Sequence, residues 1–596
     1  MTSMIPPAFI FIIGALAVPL FRGKAQSAYL LTLPVLGFIN LFMLPAGASV
    51  EVEFLNYTLT LIKTDRLSLL FAYIFHITAF ITVIYSMCMK NNLEYMAGLL
   101  YSGSALGVIF AGDLLSLFFF WEMMTVGSVF LIWARGTDKS IRAGFRYALF
   151  HFVGGLLLLA GIIIHVQTGG PLEFGFMGLN GVASYLIFFG FGVNCAWPFF
   201  HTWLSDAYPE ATIAGTVYLS AFTTKTAVYV LARSFPGTEM LIWIGAAMAA
   251  FPIFYAVIEN DMRRVLAYSL INQVGFMVVG VGIGTEMAIN GAAAHAFTDV
   301  IFKGLLFMSM GAVMYRTGKI NATDLGGLYK TMPLTAIFCI IGAASISAFP
   351  LFSAFVSKTM VMSAAAREHY SWVWLILLFA SAGVFHHAGI KIPFFAFFGH
   401  DSGLRPKEAP LNMLIAMGIS AFMCIFIGTF PGPLYSILPY PVEYEPYTTA
   451  HVVAQLQLLG FSALAFALLM LAGIYPAEKR AVNLDADLIY RKGADSFNWF
   501  NENVIACIWA WFAKLFFDRI PNWFIWFGKN PAGVAKIGLD YIEIVFASGK
   551  NVPKIRERIE REKKIYPGDI IQRWPIGSTV TWVTVFLLVY LLFYFF

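Results

Sequence analysis

Most of this chain is divided into apolar runs of about 20 residues, each long enough to cross a bilayer as a helix. The candidates number about sixteen on that scale: 5–21, 28–46, 66–89, 94–111, 114–134, 143–166, 184–200, 211–233, 239–258, 264–284, 289–315, 334–366, 372–399, 411–431, 453–474 and 576–596. Only 12% of the 596 residues are charged, whereas an average soluble domain is about a quarter charged. A water-facing surface cannot be built from this composition. The expected fold class is all-α, a polytopic membrane protein of about 14–16 transmembrane helices. The net charge of +5 is small and the basic residues lie in connecting loops, so nothing points to nucleic acid. The cysteines (Cys88, Cys195, Cys339, Cys424, Cys507) are scattered, without metal or haem spacing. The run starting at Ile5 reads as a retained helix, because no basic segment precedes it and no small-residue cleavage site follows.

Against that background, ionisable residues deep inside apolar runs carry the most functional information. Glu122 lies in 114–134, Lys225 in 211–233, Lys303 in 289–315 and Lys358 in 334–366. A charge at the bilayer centre costs roughly 2.5–3.5 kcal/mol on insertion scales, so such groups face the bundle interior and are paired, wetted or used. Their even spread suggests a lateral line of protonatable groups. A desolvated lysine can be charged in one state and neutral in the next. His295, Asp299 and Lys303 follow each other at i, i+4, i+8, along one helix face. Imidazole, acid and amine on one intramembrane face are what a proton relay requires. The bland reading of that triplet is a static Asp299–Lys303 pair. His386, His387 and Lys391, in VFHHAGIKIPFF, could form an exit or access point. Adjacent histidines point to different faces of a regular helix, which speaks against a metal site. His76, His151 and His165 stand alone on apolar helices and read as packed core residues.

Proline breaks two of the runs, Pro198 near the end of 184–200 and Phe349-Pro350 inside 334–366. Irregular backbone at membrane depth is tolerated only inside protein or along a wet cavity, so the break beside Lys358 favours an aqueous or ionic pathway. Loops after odd-numbered spans carry Arg22/Lys24, Arg135/Lys139/Arg142, Arg263/Arg264, Arg316/Lys319/Lys330 and Arg405/Lys407. By the positive-inside rule they are cytoplasmic and the N-terminus is outside. The loop with Asp206 and Glu210 breaks this pattern and is expected to fold back into the protein. From 476 to 575 charges mix with Trp499, Trp509, Trp511, Trp523 and Trp526, as in an interfacial segment. With its basic run from Lys550 to Lys564, it reads as a lateral segment along the membrane surface before a final anchor, 576–596, the alternative being an ordinary cytoplasmic loop.

Taken together the motifs resemble one superfamily: the antiporter-like subunits of respiratory complex I, Mrp-type cation/proton antiporters and membrane-bound hydrogenases. The matching stretches run in family order: DRLSLLF (65–71), GDLLSLFFFWEMM (112–124), PFFHTWLSDAYPEA (198–211), KTAVYVLAR (225–233), DMRRVLAYSLINQVGF (261–276), HAFTDVIFKGLLF (295–307), DLGGLYKTMP (324–333) and SISAFPLFSAFVSK (345–358). The core looks most like the Mrp D-type branch and the tail like the distal complex I subunit. The resemblance implies two inverted five-helix repeats with broken helices, joined by a hydrophilic axis. The implied divisions are 1–93 (three N-terminal helices), 94–233 (first half-channel), 239–399 (second half-channel), 411–474 (C-terminal helices), 476–575 (lateral segment) and 576–596 (anchor). It also implies roles. Glu122 matches the helix-5 glutamate that gates the first half, Lys225 the axial helix-8 lysine, His295 and Lys303 the helix-11 pair, and Lys358 the terminal lysine. Two positions depart from the pattern. Asn194, in GFGVNCAWPFF, stands where the family has the lysine that pairs with the glutamate, so Glu122 lacks its expected counter-ion. Asp299 stands where a second histidine is frequent.

The expected function is proton translocation, with Na+ or K+ as further candidate ions, by one member of a multisubunit complex. The path would use Glu122, Lys225, His295, Asp299, Lys303, Lys358 and Lys391. No cofactor or metal motif appears, and no nucleophile–base set, so the chain is expected to be no enzyme itself, though its complex could be an oxidoreductase. The expected partners are other membrane subunits and the lipid of a bacterial or archaeal cytoplasmic membrane. Two alternatives compete: an energy-coupling subunit for a partner such as an inorganic-carbon-uptake zinc protein, and a structural member whose first half-channel is partly inactive.

Overall fold

A computed structural model describes residues 5–45, 47–54, 57–476, 478–479, 483–547, 549–566 and 576–595. Parts of the expected lateral segment (477, 480–482, 548, 567–575), and residue 596 of the expected anchor, lie outside the described residues. The chain is a polytopic helical membrane protein. Eleven of the described helices are long and apolar enough to cross a bilayer, and four shorter apolar ones accompany them. Contacts divide the chain into two units, one ending at Ala486 and one beginning at Asp487.

The first unit opens with α1 (Pro7–Ala17) and α2 (Gly23–Met43). An antiparallel hairpin follows, β1 (Ser49–Phe54) and β2 (Tyr57–Lys63). The all-α expectation did not include it, although the alternation in Tyr57–Lys63 is the period of a strand. The hairpin is tied down by Asp113, whose carboxylate accepts the Thr60 amide at 2.7 Å and caps the next helix through Ser116 N at 2.7 Å. Then come α3 (Arg66–Ser86), α4 (Asn92–Phe110), α5 (Leu114–Trp133) and α6 (Asp138–Gln167). Capping boxes start α3 (Asp65 with Ser68) and α6 (Thr137 with Ser140), satisfying donors that lipid could not.

The middle of the unit is built from interrupted helices. α7 (Gly181–Asn194) stops before Pro198 and α8 (Thr202–Ala207) follows. α9 (Ile213–Ala221) and α10 (Thr223–Ser234) are separated at Phe222. The continuous span expected over 211–233 is therefore two half-helices. After α11 (Glu239–Ile258), α12 (Met262–Ile283) and α13 (Glu286–Thr317) come α14 (Pro333–Ile346) and α15 (Ser353–Arg367), parted at Phe349-Pro350 as expected. The two proline breaks share one local solution. Ala196 and Phe199 flank Trp197-Pro198 with φ of 58° and 69°. Ala348 and Leu351 flank Phe349-Pro350 with φ of 57° and 74°. Left-handed backbone without glycine costs of order 1–3 kcal/mol per residue. At Ala196 and Ala348, both fully buried, it is held in place by packing.

α16 (Ser371–Val384) continues through π-turns at 385–390 and 394–398, and the helices Leu411–Thr429 and Thr449–Leu471 follow. The most deeply buried long helices are α12 and α13, with 94% of their apolar windows covered by protein. They form the centre on which the ionisable residues lie.

In the second unit, helices Asp487–Phe500, Ala506–Ala513 and Ile520–Lys529 run on through π-turns and leave Trp499, Trp509, Trp511 and Trp523 exposed. Helices Pro531–Phe546 and Val552–Ile565 pack on each other through Ile537, Ile555 and Ile559, with Arg558 bonded to Asp540 and Glu543. An apolar helix spans Ile576–Phe595.

Candidate functional site

A helix break frees backbone groups, and in a membrane each must find a partner. At Phe222 the freed Thr223 amide donates to the Tyr101 hydroxyl at 2.9 Å, and the Ser220 carbonyl accepts from Lys225 Nζ at 3.0 Å. The break thus creates a place for an ammonium group. The same device recurs twice. Lys358 Nζ donates to the carbonyl of Ile346, the last residue of α14, at 3.2 Å. Lys391 Nζ reaches the Ala256, Val257 and Glu259 carbonyls, at the end of α11, at 3.3, 2.6 and 2.6 Å. Helix C-termini carry partial negative charge, so three buried lysines rest on poles that suit them.

Lys225 has a second partner. Its Nζ lies 2.5 Å from Asp299 Oδ2, and neither side chain is exposed at all. This is the buried pair of the molecule's centre, and it links α10 to α13. It replaces the Asp299–Lys303 pair weighed from the spacing alone. Lys303 instead donates to Ser269 Oγ of α12 at 2.9 Å. The Asp299 carboxylate still acts electrostatically on Lys303 and on Lys358.

Around the α13 triplet the other polar groups are hydroxyls and amides. His295 Nε2 meets Gln273 Oε1 at 3.1 Å and its Nδ1 meets Ser357 Oγ at 3.2 Å. Ser357 bonds Thr298 at 2.7 Å and is the residue before Lys358. Beyond Lys358, Thr359 accepts from the Tyr444 hydroxyl at 3.0 Å. Tyr444 in turn lines an open polar cleft of about 420 Å³ with Glu286, Asn290, Arg367 and Glu443. In the other direction the Lys303 and Lys391 ammonium groups both act on the buried His387 ring, and Lys391 pairs with Glu478 at 2.9 Å. His387 and its neighbour His386 lie in a π-turn, not in the regular helix expected.

Glu122 and Asn194 are arranged differently. Glu122 Oε1 is buried without a hydrogen-bond partner among the described residues, over Gly155 of α6, where a Cβ would sit 1.9 Å from it. No ion pair among the described residues involves Glu122. Asn194, fully buried, accepts from His151 Nδ1 through its Oδ1 at 2.8 Å. The acidic loop, expected to fold back into the protein, has its charges met: Arg146 forks onto Asp206 at 2.6 and 2.9 Å, and Arg135 meets Glu210 at 3.1 Å.

Spacing alone thus named the lysines and the α13 triplet, and the structure brings Lys225, Asp299, Lys303, His295 and Lys358 into one buried group, with Lys391 beyond His387. No hydrogen bond or ion pair among the described residues ties Glu122 or Asn194 to that group. Sequence reasoning missed Gln273, Ser269 and Ser357, which are ordinary polar residues until the helices pack. It missed Glu478, which lies past the last interior span, and it read His151 as core packing.

Comparison with known proteins follows the same segment. Residues 111–385 match the family model for the transmembrane region of NADH:quinone oxidoreductase and Mrp antiporter subunits. The chain is 28% identical over 348 residues to hydrogenase-4 component B of Escherichia coli, covering 52% of each. It is 28% identical over 520 residues to a Na(+)/H(+) antiporter subunit of Alkalihalophilus pseudofirmus, covering 76% of this chain and 63% of the relative. The match therefore spans about half to two thirds of these relatives' lengths. Among solved structures, a chain of the Mrp complex from Dietzia sp. superposes with a TM-score of 0.66 at 19% identity, covering 78% of this chain and all of that one. A chain of an archaeal membrane-bound sulfane sulfur reductase gives 0.67 at 24%, covering 86% and 94%. One of Thermus thermophilus complex I gives 0.65 at 20%, covering 76% and 99%. At these identities the superpositions show the fold.

Proposed function

We propose that the chain, whose residues 111–385 match the family model for NADH:quinone oxidoreductase and Mrp antiporter subunits, belongs to that family and translocates protons as one member of a multisubunit membrane complex. The observation that carries this reading is the Lys225–Asp299 pair, because it joins α10 to a continuous buried line of ionisable groups. A proton moving along such a line changes the partner of each charge in turn. When Lys303 gains a proton, Asp299 has a second cation to answer and its hold on Lys225 weakens. When Lys225 is neutral, Asp299 turns its full field on Lys303 and Lys358. The aspartate is therefore a switch that couples the half containing Lys225 to the half containing Lys358. His295, Gln273 and Ser357 supply hydrogen-bonded stations between the lysines, and the polar cleft beyond Thr359 and Tyr444 supplies contact with water.

In this reading the protein performs no bond-breaking chemistry, and energy reaches it from neighbouring subunits or from a counter-moving cation. The name of the sodium/proton relative supports a monovalent cation as the exchanged ion. The cytoplasmic membrane, with the N-terminus outside, and the division into two half-channels belong to the same proposal.

The test is ΔpH-driven cation exchange in everted vesicles carrying the whole operon-encoded complex. Lys358→Ala should lose exchange while the complex still assembles. Full exchange in that variant would remove the axis from the explanation.

A further inference from the structure

Three polar atoms, one each on α5, α6 and α7, have no hydrogen-bond partner among the described residues: Glu122 Oε1, His151 Nε2 and Asn194 Nδ2. His151 and Asn194 are 1% and 0% exposed, and an unmet polar group in such a place costs about 1–3 kcal/mol. The three belong together. His151 and Asn194 share the bond already described. Gly155, whose missing side chain makes room for the Glu122 carboxyl group, lies one helical turn after His151, about 6 Å along the same face of α6. Around the imidazole stand Tyr147 from its own helix, ring to ring at 4.1 Å, and Trp203 of α8 at 4.5 Å. The Tyr147 hydroxyl is occupied by Ser128 at 2.9 Å, so it does not compete for the ring nitrogens.

From this arrangement we propose that Glu122, His151 and Asn194 form one proton-exchange site, in which His151 is the proton-carrying partner of Glu122. The bond from Nδ1 to Asn194 Oδ1 fixes the tautomer and leaves Nε2 as the free acceptor. A proton leaves the Glu122 carboxyl group, and a hydrogen-bonded water relays it to Nε2. The products are a carboxylate and an imidazolium, each the counter-ion of the other. Onward transfer from Nε2 restores the neutral ring, and Glu122 is reprotonated from the opposite side. Asn194 is a positioning residue. Its amide cannot titrate, but it holds the ring, and its unmet Nδ2 is available to donate to the relaying water.

This inference rests on the proton-translocating reading, and the test separates the two. In everted vesicles carrying the whole complex, His151→Gln keeps the bulk and a hydrogen bond to Asn194 but cannot carry a proton. We expect a loss of roughly a hundredfold in proton movement, as when a positioned acid–base group is removed. His151→Gln combined with Asn194→Lys should recover a large part of it by returning a titrating group. Wild-type rates in His151→Gln would overturn the proposal. So would a loss that the double variant does not relieve at equal membrane content, since the role would then be packing. If His151→Gln does not accumulate, Gly155→Ala carries the test, because it leaves the imidazole in place and fills the notch that seats Glu122 Oε1. Its expected result is slowed transport, and an unchanged rate overturns the proposal. Independently of transport, the infrared carboxyl band assigned to Glu122 by Glu122→Gln should shift in His151→Gln in the purified complex. A band indifferent to His151 overturns the site. Failure of the underlying reading looks different: Lys358→Ala would then transport normally while the band still responds.

Discussion

Lys303 and Lys358 each rest their ammonium group on a neutral acceptor, the Ser269 hydroxyl or the carbonyl that ends α14. Around Glu122 the described residues offer nothing equivalent: the carboxyl group sits in a glycine notch, and a histidine stands one turn away from that glycine. Lys225 at the centre and Lys391 beyond His387 have both kinds of support, a backbone carbonyl and a true counter-ion. The difference teaches how a membrane protein keeps charge available for transfer. A full ion pair holds its proton fast, a dipole holds it loosely, and an unmet group passes it through water. Lys303 and Lys358 rest on dipoles, Glu122 is left unmet, and the counter-ions are kept for Lys225 at the centre and Lys391 at the far end.

The sharpest way to break that comparison is at the centre. Asp299→Asn leaves Lys225 as an uncompensated charge at a fully buried position. The expected destabilisation is about 3–5 kcal/mol, together with loss of transport. Thermal unfolding of the purified complex and vesicle exchange would read the two effects. A double change, Lys225→Met with Asp299→Leu, should restore much of the stability, because a buried pair replaced by apolar residues is often neutral or better. Transport should stay absent. A double variant that transports would show the pair to be structural and not a switch.

Next in size is Glu122→Gln, which removes the titrating carboxyl group of the first-half site and nearly preserves its shape. We expect a loss of roughly a hundredfold in proton movement with unchanged unfolding temperature, since no described ion pair is broken. A large fall in unfolding temperature would mean that Glu122 is held by a partner, contrary to the contrast drawn above. Smaller again is Ser269→Ala. Lys303 loses its hydroxyl but remains within reach of the Asp299 field. A charge-assisted hydrogen bond is worth about 1.5–3 kcal/mol, so exchange should slow by roughly ten- to a hundredfold. Ser269→Thr, which returns the hydroxyl, should recover.

How much of this was legible beforehand varies by residue for physical reasons. Lys358 and its broken helix could be read from Phe349-Pro350, because proline marks a break locally. The break beside Lys225 could not: Phe222 and its neighbours contain no breaker, and the interruption is stabilised by Tyr101, more than a hundred residues earlier. The i, i+4, i+8 spacing put His295, Asp299 and Lys303 on one face, yet the partner of Asp299 came from another helix, which periodicity within one element cannot reveal. His151 looked like packing for the same reason, since its partner Asn194 is 43 residues away. The strand period in Tyr57–Lys63 was present in the sequence, but the expectation of a purely helical bundle overrode it. Glu478 lies beyond the last interior span, where nothing local marks it as the counter-ion of Lys391.

The smallest expected effect tests the rule from outside the membrane. Asp401 sits in an exposed loop between Arg405 and Lys330, with contacts of 2.7 Å to each, and these hydrogen bonds hold its carboxyl group well below the usual carboxylate range. By contact distance alone the cluster looks as strong as Lys225–Asp299. Water makes the difference, because all three side chains are 40–44% exposed and solvent screens the attraction. The sign is that of any lowered carboxylate. Its contribution is present above the unfolded value near pH 3.9 and is lost only as pH falls through the lower folded value. Nothing therefore titrates in the neutral range. Asp401→Asn should leave vesicle exchange within experimental scatter of wild type at neutral pH, at low and at high salt. If it instead approached the loss expected of Asp299→Asn, burial would not be what separates the two clusters, and the loop itself would belong to the transport path.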